Sequence, residues 1–276
     1  MTNPRQTGLW LGAVLVGLLT ALALGGPALV DAEAVHRQSL EQRLLGPGPG
    51  HPLGMDDLGR DILARLMMGA RASLVAATVV VLVSVMVGAL LGGLAGYGGG
   101  LLDDLLMRLV DLLLAFPGVL LAIALVAVLG PGLDHAILAL CVIGWVGFAR
   151  LVRGMVLRVR EMQFVQAARA GGAGPLRVLL RHVLPQTLGP VAIQASLAMA
   201  GVILAEASLS FLGLGIQPPA PSWGSMLRDS MKYLTVAPHL ALAPGAAIAV
   251  AVFGFNFLGD GLRDALDPRG RQGRAE

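Results

Sequence analysis

Long uncharged runs alternate with short charged segments along this chain, and the runs are of similar length. A helix rising about 1.5 Å per residue needs about 20 apolar residues to cross a hydrocarbon layer about 30 Å thick. Six stretches meet that requirement. The first is Gln6 to Val30, behind Arg5. The second is drawn from the uncharged run Ala72 to Leu102 and ends near Gly96, before Tyr97 and Gly98-Gly99-Gly100 turn the chain. The third runs from Leu105 to Leu129, with Asp111 inside it and a Phe116-Pro117 step that predicts a kink. The fourth runs from Asp134 to about Leu157. Only fifteen uncharged residues separate Asp134 from Arg150, so this helix is expected to continue past Arg150 and Arg153, whose long side chains snorkel toward water. The fifth, Gln186 to Leu212, contains Glu206 as its one charge, and the sixth is Leu240 to Leu258.

The polar segments divide the chain. Asp31 to Arg71 reads as an external loop broken by Gly46-Pro47-Gly48-Pro49-Gly50, which cannot continue a helix. Within it, Asp57 to Ala72 sets Leu58, Ile62, Leu66 and Met67 at helical spacing with Arg60 and Arg65 elsewhere on the wheel, the pattern of a short interfacial helix. The proline-rich stretch between the fifth and sixth runs is a second external loop. These divisions give an N-terminal helix and loop at 1–71, a five-helix core at 72–268 and a charged tail at 269–276. The first run has a basic start and the small-residue step Ala21-Leu22-Ala23, features shared with secretory signals. It reads as a retained span, and its cleavage would leave the orientation of the rest unchanged.

Composition agrees with a polytopic, all-α membrane protein. The chain is 56% hydrophobic and 13% charged, with a mean hydropathy of +0.77, whereas a soluble domain carries about 25% charge. Its 38 glycines suit helices packed closely in lipid, and 4% aromatics argue against the girdles of an outer-membrane barrel. The chemistry of catalysis is missing. Cys141 stands alone and cannot form an internal disulfide or a multi-cysteine metal site. The one lysine, Lys232, follows Met231, so no phosphate loop of the G-x-x-x-x-G-K type exists. His36, His51, His135, His182 and His239 are scattered, with no H-E-x-x-H and no G-x-S-x-G. No catalytic residue, metal ligand or cofactor is assigned, and nucleic acid is not an expected partner.

Charge is concentrated in one place. From Arg150 to Pro185 seven arginines face one acid, Glu161, a formal +6 in a chain whose total is +3. With six spans, this island and both termini share a side that carries thirteen Lys and Arg against seven on the other, so they are read as cytoplasmic. Glu161 to Ala170 is expected to form a short helix with Phe164, Val165 and Ala168 on one apolar side, stopped by Gly171-Gly172. Gly174-Pro175 starts a second helix, closed by His182-Val183-Leu184-Pro185 before the fifth span. Such a hairpin suits a groove on a partner. The pattern alone equally allows arginines that only fix topology and touch lipid phosphates.

The residues Gln166-Ala167-Ala168, then Gly172 and His182-Val183-Leu184-Pro185, resemble the EAA loop of ABC-importer permeases. The likeness extends through His51 to Leu74, Ala95 to Pro117, Ala205 to Gly224 and Gly259 to Pro268, which are similar to the dipeptide, oligopeptide and nickel importer subfamily. Two positions depart from the family pattern: Gln166 replaces glutamate, and Met55 replaces threonine. The resemblance implies the type I ABC importer permease fold, an inner-membrane location and coupling of this chain to ATPases. Gln163, Phe164, Gln166, Ala167, Ala168, Arg169 and Gly172 would make the ATPase contact, with Ala168 and Gly172 as close-packing positions that a bulky residue uncouples. Implied partners are a second permease forming a heterodimer, two cytoplasmic ATP-binding subunits, an extracytoplasmic solute-binding protein and membrane lipid. Dipeptides, oligopeptides, glutathione-like peptides and nickel or metal chelates all stay open as solutes.

Charges inside spans are candidates for function. Asp111, three residues after Arg108, is expected to pair with it. Glu206, with Ser208 and Ser210, is a candidate for the translocation pathway or for bonds between helices. Gln217 to Trp223 is a candidate contact for the binding protein or a rigid cap. A self-contained secondary transporter or channel is the rival class, and it requires ion-coupling groups at mid-membrane, whereas Asp111 and Glu206 read nearer the ends. A non-transporting scaffold is the second rival.

Overall fold

The computed structural model of the chain describes residues 4–29, 35 and 37–266. The tail at 269–276, with Arg269, Arg271 and Arg274, lies outside the described residues, as do Asp31 and Glu33. Helix α1 (Pro4–Leu29) leads through the first loop to α2 (Ile62–Gly98), α3 (Gly100–Leu114), α4 (Gly118–Leu129) and α5 (Leu133–Val159). Two short helices follow, α6 (Gln163–Ala170) and α7 (Pro175–Val178). The chain then runs through α8 (Leu188–Phe211), α9 (Trp223–Ser230) and α10 (His239–Leu266). Five helices are long and apolar enough to cross a membrane, and the bent pair of α3 and α4 makes a sixth crossing if it is counted as one. The all-α polytopic architecture is as expected.

Three elements differ from expectation. The separate interfacial helix over Asp57–Ala72 does not exist, because α2 is one helix of 37 residues starting at Ile62. Asp61 caps it, accepting from the Ala64 N–H at 2.9 Å, and no proline interrupts it. Arg65 is buried and faces Asp56 rather than water, so the division at residue 71 falls inside a helix. The kink at Phe116-Pro117 is a bend of 87° between α3 and α4. Proline has no N–H to donate and disfavours helix at the residue before it, so α3 ends at Leu114 and Pro117 caps α4. Finally, His182 to Pro185 does not close a helix. The chain passes from α7 through a π turn at Leu179–Val183 and a 3-10 turn at Leu184–Thr187 into α8, a change of winding that absorbs the proline without ending the helical run.

Packing starts from glycine. Gly88, Gly92 and Gly96 recur every four residues on α2 and face α5, which puts small residues where two backbones cross. A methyl on Gly88 would meet Phe148 Cβ at 2.5 Å, and one on Gly92 would overlap the Ala149 carbonyl. Helix α1 runs antiparallel to α10, with Leu9 against Gly261 and Leu15 against Gly254. Leu266, at the end of α10, reaches Gly189 at the start of α8. Residues near both described termini therefore sit at the same end of the bundle as the arginine-rich segment. The largest core joins Leu19, Leu74, Ile203, Trp223, Ile248 and Phe255, which belong to five different helices.

Candidate functional site

The arginine-rich end is built on α5. This helix continues past Arg150 and Arg153 to Val159, as expected. Its arginines, however, do more than face solvent. Arg153 makes a two-pronged pair with Asp103 of α3, its Nη2 donating to Oδ2 at 2.7 Å, the strong planar geometry of arginine with a carboxylate. Arg150 pairs with Asp111 of α3. The expected partner of Asp111 was Arg108, and the correction has a simple cause: the α3 backbone turns Asp111 toward α5. Arg160 Nη1 donates to the Gly96 carbonyl of α2 at 2.8 Å. Arg169 of α6 lies 5.1 Å from the centre of the Tyr97 ring, a cation–π contact. Arg158, Arg177 and Arg181 are exposed.

Helix α6 stands on this base. Val165 is its one buried residue and joins Val156, Val159, Val178 and Leu179 in a core that seals α6 onto α5 and α7. The expected apolar side divides here, because Phe164 points outward and is 43% exposed while Val165 points in. Gln163, Gln166, Ala167 and Arg169 are also exposed, and Ala168 is half-buried. Gln166 Nε2 donates to the Glu161 carbonyl at 3.0 Å, which holds the first turn. Gly172 adopts φ +83°, a left-handed conformation that favours glycine, and its N–H donates to the Arg169 carbonyl at 3.0 Å. A Cβ at Gly172 would meet nothing of this chain within 4 Å, so its need for glycine within the chain is conformational.

The pathway candidates separate into two settings. Glu206 is 1% exposed and accepts hydrogen bonds from Ser73 Oγ of α2 at 2.8 Å and Ser210 Oγ at 2.7 Å. Ser210 Oγ in turn accepts from the Ile216 N–H at 3.3 Å. These contacts tie α2, α8 and the following loop together. Ser208 lies on the other face of α8, in an open apolar groove with Leu204, Phe211, Leu212, Leu227 and Ile248. The loop beyond is held by Gln217, which donates to the Gly213 and Gly215 carbonyls, and by Trp223, which donates to the Leu66 carbonyl at 3.1 Å. Ser222 and Ser225 cap α9 reciprocally.

At the same end as that loop, Asp56 organises the start of α2. Its Oδ1 accepts from the Leu58 and Arg60 N–H groups and its Oδ2 from Arg60 Nε at 2.6 Å. Arg65 Nε lies 3.4 Å from the same carboxylate, and Arg65 Nη1 is buried with no hydrogen-bond partner. Burial first, and then the Asp56 charge, hold the Asp57 carboxyl above its ordinary value. Among the described residues no group of three His, Cys, Asp or Glu side chains is placed to hold a metal ion.

Nothing local in the sequence marks the ties made by Arg150, Arg153, Arg160 and Arg169, or the part played by Asp103. Their partners lie 39 to 64 residues away for the first three, a separation with no local signature.

Residues 88–272 match the family described as binding-protein-dependent transport system inner membrane component. A glutathione transport system permease protein of Pectobacterium atrosepticum is 44% identical over 256 residues, which cover 93% of this chain and 85% of that protein. A dipeptide transport system permease protein of Alkalihalophilus pseudofirmus is 43% identical over 258 residues, 94% of this chain and 84% of the relative. Among solved structures, the inward-facing MetNI methionine ABC transporter has a chain that matches with a TM-score of 0.59 at 20% identity, over 74% of this chain and 96% of that one.

Proposed function

This chain belongs to the binding-protein-dependent transport system inner membrane component family, and from that premise we propose that it is one of two different permease subunits of an ATP-driven importer of small peptides. The chain supplies half of the translocation pathway and performs no catalysis. ATP is hydrolysed by two cytoplasmic subunits that dock at α6, and an extracytoplasmic binding protein delivers the solute. The arginine-rich end and both termini face the cytoplasm. Dipeptides and glutathione are the first solutes to test, because relatives bearing those names match nearly the whole chain.

The observation that carries this reading is α6 itself. It is an eight-residue helix whose one buried residue is Val165, with Phe164, Gln163 and Gln166 facing out beside a glycine corner. An exposed aromatic residue on a braced helix suits the anchor of an interface. The pathway is assigned to the face of α8 that carries Ser208. The groove there holds no charged side chain, which fits passage of solutes whose side chains vary, with selection made by the binding protein.

The test is uptake by proteoliposomes containing this chain, a partner permease, the ATPases and the binding protein. ATP-dependent accumulation of labelled dipeptide or glutathione is expected. Uptake by this chain alone, driven by a proton gradient, would overturn the proposal in favour of a secondary transporter.

A further inference from the structure

We infer that Asp103 is a positioning residue that pins α3 to α5, so that movement imposed at α6 is carried to the bent pair of α3 and α4 as well as to α8. The inference rests on the proposal that ATPases act at α6. It starts from how little else holds α3. Of its fifteen residues only Asp103 and Val110 are buried, and Leu101, Leu102, Leu105, Leu109 and Leu112 all point away from the chain's own core.

Both ends of α3 are breaks in the helical run. Before it, Gly99 and Gly100 take φ +66° and +65°, which glycine adopts without a Cβ penalty. After it, the chain turns by 87° through Pro117. Neither break extends a neighbouring helix through α3, so its place depends on what holds its side, and α5 provides that hold. Val110 packs on Val146 and Ala149, and Asp103 takes both prongs of Arg153. Asp111 adds the Arg150 pair, but both of those side chains are more than half exposed, and water weakens such a pair. Asp103 is 7% exposed, so its attachment is the firmer one.

The other end of the connection is equally direct. Only Arg160, Glu161 and Met162 separate α5 from α6, and Val165 is packed into the same core as Val156 and Val159. Helices α5 and α6 therefore form one body, and Asp103 makes α3 part of it. Helix α4 shares a core with α5 through Ala122, Val126, Ala136 and Leu140, so with Asp103 holding α3 both arms of the bent pair move with α5 and α6.

The experiment uses the whole complex in proteoliposomes and reads solute taken up per ATP hydrolysed. Asp103→Asn keeps the side-chain shape and removes the charge. It is expected to leave complex assembly and basal hydrolysis in place while lowering uptake per ATP about tenfold, the size of an ordinary coupling term. Asp103→Arg combined with Arg153→Asp is expected to restore the ratio, and intact assembly and basal hydrolysis in the single variant mark its loss as one of coupling and not of folding. Spin labels on Leu105 and Leu138 give a second readout in the unaltered pair, with their separation expected to be the same with and without ATP. An unchanged ratio in Asp103→Asn, failure of the exchanged pair to restore it, or a label separation that changes with nucleotide would overturn the inference. Absence of ATP-dependent uptake by the unsubstituted complex strikes instead at the functional reading beneath it.

Discussion

Arginine is used in two ways at the two ends of this bundle. Arg60 in the first loop and Arg65 in the first turn of α2 are buried around Asp56, four and nine residues away in the chain, and Arg60 also lies 3.7 Å from Asp57. At the other end Arg150, Arg153, Arg160 and Arg169 each reach a different helix from the one that carries them, bonding α3 or lying against the end of α2. The first arrangement closes a loop on itself and fixes where α2 begins. The second holds separate elements at set distances from one another. Buried pairs contribute little net stability and cost much when one partner is lost, whereas exposed pairs contribute little in either direction. The contrast shows that burial and chain separation, more than the count of charges, decide what an arginine does here.

The contrast can be broken most forcefully at Asp56. Asp56→Ala leaves Arg60 and Arg65 buried without their carboxylate, and a loss of about 3–5 kcal/mol of stability is expected. Thermal unfolding of the detergent-solubilised chain, followed by reaction of Cys141 with a thiol dye, measures it. A melting curve matching the unsubstituted chain would end the claim that this loop depends on its charges.

A second comparison separates stability from docking. Phe164→Ala removes an exposed ring, so unfolding should be unchanged, while retention of the ATPase subunits falls about tenfold, as for an interface anchor. Co-purification at graded salt and detergent reads the retention. Arg150→Ala tests the exposed pair with Asp111 and should shift stability by less than about 1 kcal/mol. A larger shift would place that pair with the buried group rather than the exposed one.

The smallest effect is expected at Asp57. Burial and the Asp56 charge raise its folded pKa above the ordinary 3.8, so keeping it ionised costs stability at neutral pH. Asp57→Asn should therefore be slightly more stable than the unsubstituted chain above the raised pKa. That advantage should shrink as pH falls through the raised value and vanish below 3.8. An advantage that persists in acid would show that desolvation of Asp57 is not its source.

The spans could be read from the sequence because the thickness of a hydrocarbon layer writes itself as run length, and the helical corner could be read because Gly171-Gly172 and Gly174-Pro175 are local signals. Arg65 was misplaced for a related reason. A helical wheel sorts polar from apolar residues but cannot know that Asp56 waits on the buried side. The bend at Pro117 was predicted in kind, but its 87° depends on how α4 packs against α5 through Val126, Ala136 and Leu140. The ties of Arg150, Arg153 and Arg160 were not legible, since contacts across dozens of residues impose no period. The Gly88, Gly92 and Gly96 spacing was present all along, lost among 38 glycines, and a search for small residues every fourth position would have recovered it.

Helix α2 has 37 residues, a length of roughly 55 Å. Its seam with α5 is long: Val80 and Ser84 lie against Gly144, Gly88 and Gly92 against Phe148 and Ala149, and Gly96 against Arg153 and Val156. From Val80 to Gly96 the seam runs roughly 24 Å. Two rods joined along such a length behave as one plank, so a push taken at the Gly96–Tyr97 end, where Arg160 and Arg169 take hold, carries the pair together rather than pivoting one across the other.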